Sequence, residues 1–118
     1  MEKLKLTFNN QELTATLADN SSAQALAEKL REGDLTIKLD DFANMEKVGS
    51  LGFSLPKNDE RVNAVAGDLI LYQGNNFVVY YDKNSWNFTR LGKIDIANPK
   101  DLKRTLGNGS LTVTLSLA

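Results

Sequence analysis

Residues 67–92 read GDLILYQGNNFVVYYDKNSWNFTRLG, and the reading of this stretch decides the fold. Leu69-Ile70-Leu71-Tyr72 and Phe77-Val78-Val79-Tyr80-Tyr81 are apolar without alternation. Short apolar runs bounded by turn residues are strands covered on both faces. Gln73-Gly74-Asn75-Asn76 lies between them, and Gly and Asn tolerate positive φ, so the two runs form a hairpin. Both faces are then covered in one of two ways: in a sandwich, or in a closed barrel whose outside is capped by a helix. After a polar loop a third strand follows. It points Trp86 and Phe88 one way, with Arg90 next in that row, and Asn87, Thr89 and Leu91 the other way.

Upstream, Leu4, Leu6 and Phe8 alternate with polar residues, as do Leu13, Ala15 and Leu17, with Asn9-Asn10 between the two runs. This is a hairpin with one buried face. Asp19-Asn20-Ser21-Ser22 offers several N-cap candidates, and Ser21 with Gln24 has the spacing of a capping box. Ala23, Leu26, Ala27 and Leu30 then form one apolar helical stripe, and Gly33 stops the helix. Leu35, Ile37 and Leu39 alternate as a strand. From Asp40 to Val65 the pattern weakens into a long connection with at most short strands, marked by Gly49, Gly52 and Pro56. Downstream, Asn98-Pro99 reads as an N-cap with a first-turn proline. Leu102 and Leu106 form the buried edge of a two-turn helix ending at Gly107. Leu111, Val113, Leu115 and Leu117 close the chain as a strand. Roughly seven or eight strands with two short helices favour an antiparallel barrel over a doubly wound sheet.

The chain has 118 residues, enough for one domain spanning 1–118 and one core. It contains no Cys, which excludes disulfides and thiolate chemistry, and no His, which removes the usual general base and the common zinc ligand. Fourteen basic against fifteen acidic residues give a net charge of −1, with no basic surface for nucleic acid. No apolar run is long enough to span a membrane. The N-terminal MEKLKLTF lacks the apolar core of a signal peptide. As given, the chain is expected in the cytoplasm, although a leader removed upstream of this start is compatible with it.

GDLILYQGNNFVVYY, then WNFTRLGKID, then NPKDLKRTLGNGSLTVTLSL resemble the small bacterial cyclophilin-like family and its pattern GDL-x-L-Y-G, Y-T-R-I-G-R-I-D, LG-x-G-x-V-x-V. LTATLADNSSAQALAEKL and NMEKVGSLGFSLP fit as well, so the resemblance covers nearly the whole chain. It implies a mostly β fold, a closed eight-stranded cyclophilin-like antiparallel β-barrel with two short helices. The chain departs from the family pattern in a shorter loop before Trp86. There, a segment often rich in Ser and Tyr reads Trp86-Asn87-Phe88, which replaces phenolic hydroxyls with an indole N–H and a bare ring.

True cyclophilins are prolyl isomerases, whose chemistry needs no acid–base group. An Arg donor beside an apolar pocket lowers a rotation barrier of about 18–20 kcal/mol. The cyclophilin signature segments do not match this chain, and Arg61 and Arg90, the arginines outside the helical segments, lie in no cyclophilin-type motif, so no catalytic residue is carried over. Six ligand-binding candidates remain. Arg90 is an anion or carbonyl donor at a pocket rim, or else a salt-bridge partner. Trp86 is a loop platform, or else a core aromatic whose N–H bonds a loop carbonyl. Tyr72 and Tyr80 belong to the barrel wall, where one hydroxyl can reach a pocket. Glu46 is a rim residue, and Arg61 is the other possible donor. Asp40, Asp41 and Glu46 lack the spacing of a calcium loop, so no metal is expected. Asp68 reads as a turn-fixing residue rather than part of a phosphate loop. No cofactor is implied. The expectation is a non-catalytic binding module for a peptide or small molecule, with a prolyl isomerase of diverged site as the alternative.

Overall fold

The computed structural model describes residues 2–43, 45–95 and 99–118. The strands are β1 (Lys3–Phe8), β2 (Gln11–Leu17), β3 (Leu35–Phe42), β4 (Glu46–Ser50), β5 (Glu60–Ala64), β6 (Asp68–Tyr72), β7 (Asn76–Tyr80), β8 (Asn84–Ile94) and β9 (Leu111–Leu117). The helices are α1 (Ser21–Glu32) and α2 (Leu102–Leu106), the second preceded by one 3₁₀ turn (Pro99–Asp101). Among the described residues, no helix is long and apolar enough to cross a membrane.

Eight strands pair in the order β2-β1-β9-β3-β4-β7-β6-β8, all antiparallel, and β2 pairs back onto β8, which closes the barrel. The N-terminal hairpin forms as its sequence requires. Phe8 faces Gln11, and Asn9 and Asn10 both take positive φ, the combination that matches strand twist. Closure joins Ala15, Thr16 and Leu17 to Ile94, Lys93 and Gly92. The interior is filled by alternate residues such as Leu4, Leu6, Leu69, Leu71, Phe77 and Val79. α1 buries Ala23, Leu26, Ala27 and Leu30 against this core. Of the candidate caps Asn20 is the one used, and Ser21 is the first helical residue: the Asn20 Oδ1 accepts from the Ala23 N–H at 2.8 Å, and its Nδ2 donates to the Arg90 carbonyl at 2.8 Å. One side chain therefore starts the helix and ties it to β8. The expected Asn98 cap lies outside the described residues.

The two-sided apolar runs find their second cover in a way the sequence did not suggest. It is a β-ribbon, not a helix. Asn84–Phe88, the first half of β8, pairs with β5 and not with the barrel. The second half, from Thr89 onward, pairs with β6. Phe88 and Thr89 are consecutive and both buried, so the strand bends there. A bulge follows, in which Leu69 faces Gly92 but Ile70 faces Arg90. The extra residue flips the parity, so that Leu91 and Ile94, three apart, both enter the core. Before the bend the strand lies back across the outer wall. At one end Asn84 donates to the Tyr80 hydroxyl at 3.1 Å, and at the other Phe88 meets Tyr72 edge-on with ring centres 6.1 Å apart.

Under the ribbon a second apolar cluster forms from Val62, Ala64, Ile70, Val78, Tyr80 and Phe88. Each fully buried Val, Ile or Phe contributes roughly 1.5–3 kcal/mol toward holding the ribbon against the barrel. Asp68 fixes the turn between β5 and β6 by accepting the Val65 N–H at 2.9 Å. The Asp40–Val65 region holds short strands, as its weak pattern allows. It carries the end of β3, all of β4 and all of β5.

Candidate functional site

The ribbon stops one strand short. It covers β6 and β7 and leaves the outer face of β4 open, and along this edge runs a cleft of about 350 Å³. Its floor is Glu46 and Val48. Tyr80 and Asn76 of β7 and Tyr72 of β6 form one wall, Asn84, Trp86 and Phe88 of β8 overhang it, and Phe42 of β3 stands opposite.

The exposure of the aromatic residues singles out this place. Phe42 is 57% exposed, Trp86 58% and Tyr72 36%, and all three rim this one cleft. Scattered exposed apolar residues are ordinary, whereas a ring of them around a concavity marks a binding surface.

Cross-strand register sets the geometry. Phe42 faces Glu46 in the β3–β4 pair, and Glu46 faces Tyr80 in the β4–β7 pair. The carboxylate therefore sits between two rings in one row across three strands. Glu46 is only 8% exposed. Burial raises its pKa above the ordinary carboxylate value, a hydrogen bond from the Tyr80 hydroxyl opposes the rise, and the nearby charge of Asp41 adds to it. Burial likewise pushes the Tyr80 phenol up to about 12; the Asn84 amide works against this, and the Glu46 charge reinforces it.

The next residue along points the other way. Lys47, 1% exposed, turns into the barrel, where its Nζ donates to the Gly109 carbonyl at 2.7 Å and lies 3.3 Å from an Asp41 oxygen. The Tyr81 hydroxyl also donates to Asp41. Tyr81 titrates well above the ordinary phenol range because it is buried, with the Asp41 charge adding to the effect. Asp40 instead accepts from Ser110 at 2.7 Å. The three carboxylates Asp40, Asp41 and Glu46 thus diverge, and among the described residues no acidic group is arranged to hold a metal ion.

The structure brings together four of the six sequence candidates: Glu46, Tyr72, Tyr80 and Trp86. It does not bring in the arginines. The Arg90 Nε lies 3.3 Å from Glu60, and Arg90 lines a separate groove with Asp68 and Lys93, which pair with each other at 3.7 Å. Arg61 faces Asn87 across the β5–β8 pair and is exposed, out of phase with the buried Val62 and Ala64. Neither arginine lines the cleft. Trp86 is no core residue; its indole overhangs open space. Phe42, Val48, Asn76, Asn84 and Phe88 complete the site without having been singled out. For Phe42 a signal existed: it is a large ring out of phase with Leu35, Ile37 and Leu39, and so aimed at the outside of the sheet.

A closed eight-stranded antiparallel barrel, with two helices and one extra strand, is a cyclophilin-like barrel. The chain belongs to the cyclophilin-like family, whose sequence profile it matches over residues 6–116. Its fold is similar to the solution structure of a hypothetical protein from Archaeoglobus fulgidus, with a TM-score of 0.70 at 13% identity, over 99% of this chain and 95% of that one. At that identity the likeness speaks for the fold alone. No curated protein matches the chain significantly.

Proposed function

We propose that the protein is a non-catalytic binding module, and that the cleft between β4 and the β5–β8 ribbon holds its ligand, a small molecule or one side chain of a peptide. One observation carries this reading: Phe42, Trp86 and Tyr72, three of the large apolar residues left exposed, converge on one concavity with a buried carboxylate at its base. Ligand sites are typically apolar clefts with a few placed polar groups, and the volume here suits a small ligand or one large side chain. The chain lacks Cys, which excludes thiol catalysis, and lacks His, so acid–base catalysis at this site would have to rest on Glu46 and the tyrosines alone. The isomerase alternative needs a cationic donor beside an apolar pocket, and Arg61 and Arg90 both lie outside the cleft.

The test uses the single tryptophan. A panel of small apolar and amphiphilic compounds, together with short peptides, is screened by Trp86 emission and by amide shifts of residues 42–48 and 76–88. Saturable changes centred on the cleft and weakened in Trp86→Ala are expected, and prolyl isomerisation should run at its uncatalysed rate. Binding that leaves these residues unmoved, or a panel without a single saturable hit, refutes the reading.

A further inference from the structure

The composition of the cleft suggests what it takes. Among the described residues its one formal charge is Glu46, and no Lys or Arg lines it. Among the described residues no cation pairs with that carboxylate; the neighbouring Lys47 is committed to Asp41 and the Gly109 carbonyl inside the barrel. A buried anion without a counter-charge is an unfavourable arrangement that a cationic ligand relieves. The rings supply the rest. Phe42 and Tyr80 flank Glu46 in one cross-strand row, and Trp86 lines the same cleft from the ribbon. Aromatic faces attract cations, Trp most strongly, and a cage of rings around a carboxylate suits weakly hydrated organic cations better than metal ions.

Taking the binding-module reading as given, we infer that the cleft is a receptor for an organic cation, an ammonium or guanidinium group seated on Glu46 between Phe42, Tyr80 and Trp86. The cation has two possible carriers. One is a free amine. The other is a Lys or Arg side chain on an extended peptide. Among the described residues Asn84–Phe88 pair with β5 alone, and no β5 residue lines the cleft, so the free edge of this strand runs beside it. A peptide added along that edge would send alternate side chains into the cleft.

The discriminating experiment titrates the protein with choline, with its neutral isostere 3,3-dimethylbutan-1-ol, and with N-acetyl-lysine methylamide as the peptide-borne cation, reading Trp86 emission and the amide shifts around Glu46. Choline or the lysine derivative should bind at least tenfold tighter than the alcohol, a difference of about 1.4 kcal/mol. Glu46→Gln, which keeps size and shape, should remove about that factor, and Phe42→Leu, at an exposed ring, should weaken cations more than the alcohol. The lysine derivative outbinding choline would favour a peptide source, and the reverse a free amine. If the alcohol binds the cleft as well as the cations do, or Glu46→Gln binds cations undiminished, the cation assignment falls while the cleft remains a binding site. Cations that fail to saturate, or that perturb residues away from the cleft, also overturn the assignment, and the compound panel above then decides the cleft itself.

Discussion

Barrel closure depends on how closely β2 and β8 approach, and Gly92 sits in that seam opposite Leu17. A Cβ built on Gly92 would sit 2.4 Å from the Thr16 carbonyl oxygen and 3.2 Å from the Leu17 Cα. Both are backbone atoms, so no side chain can swing aside. Restoring an ordinary contact of 3.4 Å requires the strands to part by about 1 Å at a seam only three residue pairs long. Overpacking of this kind costs about 1–3 kcal/mol, and weakening one seam hydrogen bond adds about 0.5–1.5. The entropic gain of replacing a strand Gly by Ala returns about 0.5–1. Gly92 is not among the positive-φ residues, so backbone conformation adds no further strain. The net expectation for Gly92→Ala is a loss of about 2 kcal/mol, or roughly 6–10 °C in melting temperature for a chain of this size. Urea denaturation followed by circular dichroism measures it. Amide exchange at Thr16, Leu17 and Ala18 should quicken more than in the core of β7. Gly52→Ala is the control: its Cβ meets nothing within 4 Å but φ is +86°, so it carries only a conformational cost of about 1–2 kcal/mol and leaves exchange at the seam unchanged. A Gly92→Ala protein as stable as wild type, with seam exchange unmoved, would mean that β2 and β8 do not close the barrel at this register.

Two further outcomes follow from buried charge. Glu46 has a folded-state pKa raised above its unfolded value of about 4.5. Below the unfolded value both states are protonated and the carboxyl is neutral in its effect; above the folded value both are ionised and the full penalty applies. Replacing it with Gln should therefore become progressively more favourable, relative to wild type, as pH rises from 4 to 7 in urea melts; a gap moving the other way refutes the burial assignment. Inside the barrel, Asp41→Asn strands the fully buried Lys47 ammonium and should cost about 3 kcal/mol, whereas Lys47→Met leaves an Asp41 side chain that is 30% exposed and still bonded by Tyr81, and should cost about 1. Equal losses, or the reverse order in denaturant melts, would show that the ammonium is not held as described.

Much of the fold was legible because it rests on local pattern. Alternation places Leu4, Leu6 and Phe8 on one face whatever they pair with, and Asn9-Asn10 turns the chain by its tolerance of positive φ. The unbroken apolar runs Leu69–Tyr72 and Phe77–Tyr81 announced strands buried on both sides. Register was less legible. β4 is short, polar and glycine-bearing (EKVGS), so its membership of the barrel shows only through its partners. The bulge at Leu91 breaks the period-2 pattern only beyond Arg90; Arg90 keeps the row of Trp86 and Phe88, but its place along the strand sets it against Glu60 and away from the cleft.

By itself, then, the sequence determined most of the strands and turns, the helical stripes and the absence of imidazole and thiol chemistry, because these follow from residue type and spacing along a few consecutive positions. The tertiary structure alone decided what covers the outer wall and what remains open beside it. Phe42, Glu46, Tyr80 and Trp86 come from four different strands, and their meeting is a matter of cross-strand register and of one strand folding back on its barrel. Contacts that span tens of residues leave no periodic trace in the chain, so the cleft becomes visible only once the barrel has closed and the ribbon has settled one strand short of covering it.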